Sequence, residues 1–107
     1  MRIAIVDDIA SERTLLRDRL EQQLGRRGVH ADLTEFENGE TFLKAAKERP
    51  FTVLFLDIYM DGMTGMEAAR RIRRQSDSCI LVFVTTSSDF AVESYDVGAS
   101  YYLLKPF

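Results

Sequence analysis

The period of the hydrophobic pattern changes repeatedly along this chain, and that alternation limits the folds open to it. Ile3-Ala4-Ile5-Val6 is a continuous apolar run. Leu16, Leu20 and Leu24 then recur at i+4 spacing, with Leu15 beside them and charged residues between, which places them on one face of a helix. Gly25 and Gly28 close that helix. Val29, Ala31 and Leu33 alternate with His30, Asp32 and Thr34, the pattern of a strand with one wet face. Asn38 is placed to cap a helix carrying Phe42, Leu43, Ala45 and Ala46, and Pro50 marks its far end. Val53-Leu54-Phe55-Leu56 is apolar throughout and predicts a strand covered on both faces. Thr64 and Glu67 have capping-box spacing at the start of a helix running to about Arg74. A third continuous apolar run spans Ile80 to Val84. A short helix is expected from Asp89 to Tyr95, ending at Gly98, and a last strand from Tyr101 to Leu104, stopped by Pro106.

The order is therefore βαβαβαβαβ, which implies right-handed crossovers and a mainly parallel sheet. The first, third and fourth strands are apolar enough to be central. The second alternates and the fifth carries Ser100 and two tyrosines, so both read as edges. The order 2-1-3-4-5 satisfies this, a flavodoxin-like, doubly wound five-stranded α/β sheet. No Pro/Ser-rich linker or repeat interrupts the 107 residues, so 1–107 is read as one domain. With 46% apolar residues a core is available without covalent staples, and a formal charge of −3 offers no global basic field for nucleic acid. The single cysteine makes no internal disulfide, and no Cys/His spacing suggests zinc. No apolar run approaches a membrane span and no signal-peptide pattern precedes Asp7, so a cytoplasmic setting is expected.

In an open α/β sheet, ligands gather at the carboxyl ends of the strands, near the switch point between the first and third. Asp7 and Asp8 end the first strand, and Asp57 ends the third. Three carboxylates converging there would repel, so they either take raised pKa values or bind a cation. Oxygen-only ligation with open positions suits Mg²⁺ better than Ca²⁺. Thr85 brings a hydroxyl to the same rim and Lys105 an ammonium. Each residue singly also has a plain reading: a helix cap, a strand-end hydroxyl, a surface lysine. Together they form the set that phosphoryl transfer to a carboxylate needs, because metal and lysine neutralise charge spreading over the phosphoryl oxygens.

Through the Asp7-Asp8 pair, "VLFLDIYMDGMTGME" around Asp57, "VFVTT" ending at Thr85-Thr86 and "YYLLKPF" with Lys105-Pro106, the chain resembles the receiver domain of bacterial two-component response regulators. The last two segments resemble most the receivers that precede a LytTR-type DNA-binding domain. The resemblance implies that Asp57 is the phosphoacceptor, taking a phosphoryl group from a sensor histidine kinase. It implies Mg²⁺ held by Asp8, Asp57 and the backbone carbonyl of Tyr59, with Asp7 acting through a metal-bound water. Thr85 and Tyr102 would be the switch pair, Lys105 would pair with the phosphoryl oxygens, and the Lys105–Pro106 peptide would be cis. Tyr59 and Ser87 would tune the lifetime of the phosphorylated form. Asp61 departs from the family pattern, standing where many receivers carry proline, and Thr86 stands where a smaller residue is frequent.

The implied function is a signalling switch, controlling an output through the surface of the fourth helix and fifth strand, and not a turnover enzyme. Ile9, Leu16 and Leu20 are candidates for kinase docking, with core packing the plainer reading for the leucines. DNA would be reached only through an output domain outside this chain, and no membrane contact is expected. Two other readings stay open: a haloacid-dehalogenase-like phosphatase, which wants a second acid where Tyr59 stands, and a pseudo-receiver that only binds partners. Arg70, Arg71, Arg73 and Arg74 read as a solvated helix face, His30 as inert on the wet side of its strand, and Met60, Met63 and Met66 as packing. The chain ends at Phe107, where family members continue into a fifth helix. A receiver one helix short, cut from a longer regulator, is thus expected, with an exposed apolar strip beside the first helix covered by a symmetry mate, a swapped segment or a homodimer partner.

Overall fold

The computed structural model describes residues 1–75 and 78–107. Five strands, β1 (Arg2–Val6), β2 (Asp32–Phe36), β3 (Val53–Leu56), β4 (Ile80–Thr85) and β5 (Tyr101–Leu104), form one sheet in the order β2-β1-β3-β4-β5. Every neighbouring pair is parallel. The intervening helices are α1 (Ala10–Arg26), α2 (Gly39–Glu48), α3 (Gly65–Gln75) and α4 (Ala91–Ser94), the last running into a 3₁₀ turn over Tyr95–Val97. The flavodoxin-like, doubly wound arrangement read from the sequence is the observed one.

Strand polarity explains the layers. Ile3, Ala4, Ile5 and Val6 are all buried, as a central strand between two covered faces requires. On one face Ala4, Val6, Leu54, Leu56, Leu81 and Phe83 pack with Phe42 and Leu43 of α2 and Met66 and Ile72 of α3. Phe36, Phe42 and Phe51 meet there with ring centroids 5.7 Å apart. Each fully buried side chain of this size is worth roughly 1.5–3 kcal/mol, so this face dominates stability. The opposite face is covered more thinly. Its helix, α1, buries no residue completely, and Leu16, Leu20 and Leu24 are only half-buried. Val53 and Phe55 are likewise half-buried, so β3 is not covered on both faces to the degree its sequence predicts. Ile80, Tyr101 and Leu103 are exposed on this face.

Local chemistry sets the element ends. Asn38 Oδ1 accepts the Thr41 amide at 2.8 Å and caps α2. Arg49, before Pro50, adopts the extended conformation that a following proline enforces. Thr64 Oγ1 accepts the Glu67 amide at 3.2 Å, while the Glu67 carboxylate turns to Arg71. Gly98 ends the 3₁₀ turn with φ +65°, a backbone that L side chains rarely adopt. Two expectations shift. Pairing in β2 begins at Asp32, opposite Arg2, so Val29-His30-Ala31 is a connection and exposed His30 belongs to no strand. The periodic pattern there is overridden because the Val29 amide still closes α1 on the Leu24 carbonyl. The fourth helix is also later and shorter than Asp89–Tyr95: Asp89 and Phe90 form a turn closed by the Ala91 amide on the Ser88 carbonyl at 3.1 Å, and from Tyr95 the winding tightens to 3₁₀.

Candidate acidic site at the carboxyl edge of the sheet

β1 and β3 are adjacent and parallel, so their ends deliver Asp7, Asp8 and Asp57 to one point. A carboxylate oxygen from each of the three lies within 4.8 Å of the others. β4 ends beside them at Thr85, and β5 brings Lys105, whose amide donates to the Thr85 carbonyl at 2.8 Å. Lys105 Nζ sits 2.7 Å from Asp7 Oδ2 and 3.8 Å from Asp57 Oδ2, all three side chains being more than nine-tenths buried. The Lys105–Pro106 peptide is cis.

Several backbone features hold the acids in place. Asp7 Oδ1 accepts the Ile9 amide at 3.0 Å, so both of its carboxylate oxygens have protein donors. Asp8 Oδ2 accepts the Asp61 amide at 3.0 Å. That contact gives a physical meaning to Asp61, because a proline at this position would have no N–H to donate. Gly65 closes the β3–α3 loop with its amide on the Ile58 carbonyl at 2.9 Å. A Cβ at this position would lie 2.0 Å from the Asp57 carbonyl oxygen, so only glycine lets α3 start against the acid.

The electrostatics follow from burial. Desolvation, then repulsion from Asp7, pushes the Asp57 carboxyl up to about 6, with Lys105 and the amides of Ile58 and Tyr59 pulling the other way. Burial pulls Lys105 down, but its hydrogen bond to Asp7 and the charges of Asp57, Asp7 and Glu12 outweigh that and raise it. The site therefore holds a permanent ammonium beside a carboxyl group poised near neutrality. The donor set is all oxygen, clustered and like-charged, and so fits a hard divalent cation.

The remaining expected residues surround this centre. Thr85 Oγ1 is fully buried with no hydrogen-bond partner. Tyr102 is half-buried, its ring tilted against Phe83 with centroids 6.1 Å apart and its hydroxyl donating to the Ser87 carbonyl. Tyr59 is 46% exposed and meets Phe90 edge-on at 5.7 Å. Ile9 is exposed just before α1, and Met60, Met63 and Met66 are buried in packing, as expected. A larger groove of about 590 Å³ lies between the end of α1 and the start of β2, at the other edge of the sheet, away from the acids.

Two residues escaped the sequence reading. Arg73 is not part of a solvated face: its guanidinium donates to the carbonyls of Cys79, Val97 and Gly98 at 2.7, 2.7 and 3.1 Å. Arg13 donates to the Asp7 carbonyl at 2.6 Å and pairs with Glu35 at 3.2 Å. Neither carries a sequence signal, because each partner is far along the chain or is backbone.

Similarity to known proteins agrees with this geometry. The family model of the response regulator receiver domain matches residues 3–107. The chain is 34% identical over 109 residues to the sensory transduction protein LytT of Oceanobacillus iheyensis, covering 100% of this chain and 44% of that protein. It is 28% identical to the transcriptional regulatory protein LytR of Staphylococcus aureus, covering 42% of it. The chain thus spans less than half the length of these relatives. The crystal structure of the response regulator TrrA from Thermotoga maritima, in complex with Mg²⁺-BeF, superposes with a TM-score of 0.85 at 29% identity, covering 99% of this chain and 87% of that one. The chemotaxis protein CheY4 of Vibrio cholerae gives 0.78 at 28% identity, with 99% and 87% covered. Among the described residues no helix is long and apolar enough to cross a membrane. With the fold, the acid cluster and these matches in agreement, the chain belongs to the response regulator receiver domain family.

Proposed function

We propose that this chain is a cytoplasmic phosphoacceptor switch in which Asp57 takes a phosphoryl group from the phosphohistidine of a sensor kinase. The observation that carries the reading is the convergence of Asp7, Asp8, Asp57 and Lys105 around one buried carboxylate. With its pKa near 6, Asp57 is mostly ionised at neutral pH, as a nucleophile must be. A phosphoryl group there would meet the Lys105 ammonium, which stays charged because its pKa is raised. Asp8, Asp57 and the Tyr59 carbonyl would hold Mg²⁺ directly and Asp7 through a metal-bound water, and what the ion supplies when bound is neutralisation of charge on the phosphoryl oxygens.

Phosphorylation turns one negative charge into about two and adds acceptor oxygens. Thr85 Oγ1, buried without a partner, is the group with most to gain by moving toward them. Tyr102 lies opposite Phe83, two residues before Thr85 on the neighbouring strand, and links to Ser87, so a shift of Thr85 would reach the α4–β5 surface. Val92, Tyr95 and Tyr101 are exposed there, lining a groove of about 350 Å³. That surface would form a homodimer or release an output domain outside this chain, through which DNA would be reached. Tyr59 and Ser87 would set the lifetime of the acyl phosphate.

Incubation with Mg²⁺ and acetyl phosphate, followed by intact mass, tests the reading. A stoichiometric adduct that disappears in Asp57→Asn is expected. Rapid multiple-turnover release of phosphate would point instead to a phosphatase, and no adduct at all to a pseudo-receiver.

A further inference from the structure

The Asp7–Asp8 peptide is held from outside the acidic site as well as from within it. Arg13, one turn into α1, sends Nη1 to the Asp7 carbonyl at 2.6 Å. Its Nε pairs with Glu35 Oε1 at 3.2 Å, and Arg17 Nη1 takes Glu35 Oε2 at 3.0 Å. Arg13 is itself largely buried, with 16% of its side chain exposed. The guanidinium is a rigid planar fork, so its two contacts fix its orientation as well as its position. The peptide it grips joins two of the clustered acids, and the Asp7 amide is tied to the Phe36 carbonyl at 3.1 Å. The edge strand β2 thus braces the acid pair twice, through Phe36 and, by way of Arg13, through Glu35.

We propose that Arg13, oriented by Glu35, is a positioning residue for the cation site: it fixes the Asp7–Asp8 peptide so that both carboxylates face Asp57. The inference rests on the reading of this cluster as a Mg²⁺ site. Arg13 touches neither cation nor phosphoryl group and acts only through the backbone.

Charge and geometry make opposite predictions here, which gives the test its force. Arg13 is a cation near a cation site, so by Coulomb's law alone its removal tightens Mg²⁺ binding. Loss of positioning loosens it. Mg²⁺ alone is titrated into the ¹⁵N-labelled chain and its Kd read from the amide shifts of residues 57–62, well below each variant's melting midpoint. Arg13→Gln is expected to raise Kd about tenfold, the lower end of the range for groups that orient metal ligands. Arg13→Lys, which keeps the charge but loses the fork, is expected to do nearly as much. Glu35→Gln should raise Kd less, since the Asp7 carbonyl contact survives. An unchanged or lower Kd in Arg13→Gln overturns the inference, as does parent-like affinity in a variant that merely melts earlier. A parent chain that binds no Mg²⁺ overturns the cation-site reading, and this inference with it.

Discussion

Replacing Asp57 by asparagine should stabilise the metal-free protein at neutral pH, although the residue lies at the centre of the site. Burial and the nearby Asp7 raise its carboxyl from an ordinary 3.8 to about 6. The folded state therefore holds this proton more tightly than the unfolded chain does. Below pH 3.8 both states are protonated and the buried group carries no charge penalty. Between pH 3.8 and about 6 the unfolded chain releases this proton while the folded protein keeps it, so stability falls, and above about 6 both states are ionised and the fall levels off. At about 1.4 kcal/mol per tenfold change in acidity, the full penalty above pH 7 is about 3 kcal/mol. Asparagine keeps the shape and carries no charge, while Lys105 retains its 2.7 Å contact with Asp7. With a urea m-value of about 1.5 kcal/mol/M for a chain this size, the variant's midpoint should lie about 2 M higher at pH 7.5. Urea unfolding in EDTA, repeated from pH 3.5 to 8, reads the difference directly, because other titrating groups cancel between variant and parent. The advantage should be near zero at pH 3.5, grow between pH 4 and 6, and level off above 7. Saturating Mg²⁺ should shrink it, since only the parent keeps the full acid set. A difference that is constant with pH, or a variant less stable at pH 7.5, would refute the electrostatic account.

Two further outcomes follow from the same geometry. Thr85→Val removes a buried hydroxyl that has no partner, so unphosphorylated protein should gain about 1 kcal/mol in urea unfolding while its α4–β5 amide shifts stop responding to acetyl phosphate. Gly65→Ala forces a methyl group to 2.0 Å from the Asp57 carbonyl, and should cost about 3 kcal/mol or more, shown as lost circular-dichroism cooperativity or a sharply lower melting midpoint.

The legibility of this protein divides along physical lines. Residues that act through position in the chain are readable from sequence. A carboxylate after an apolar strand reaches the carboxyl edge of a parallel sheet, so Asp7, Asp8, Asp57, Thr85 and Lys105 could be brought together on paper. Caps made by near neighbours, such as Asn38 with Thr41, are equally visible. Residues that act on backbone atoms of distant segments leave no such mark. Arg13 and Arg73 look like any helix arginine until their carbonyl partners are placed.

The amino-acid sequence by itself determined the alternation of strands and helices, which strands are central and which are edges, and the set of side chains delivered to one rim. Periodicity and strand polarity depend only on local spacing and burial preference; they separate central strands from edges, and the flavodoxin-like order is one that satisfies them. Only the tertiary structure decided how deeply Asp57 is buried, how α1 came to be held by half-buried leucines and an arginine–glutamate network, and which edge strand braces the acids. Those outcomes depend on distances between elements far apart in the chain, and spacing along a sequence carries no record of distance across a fold.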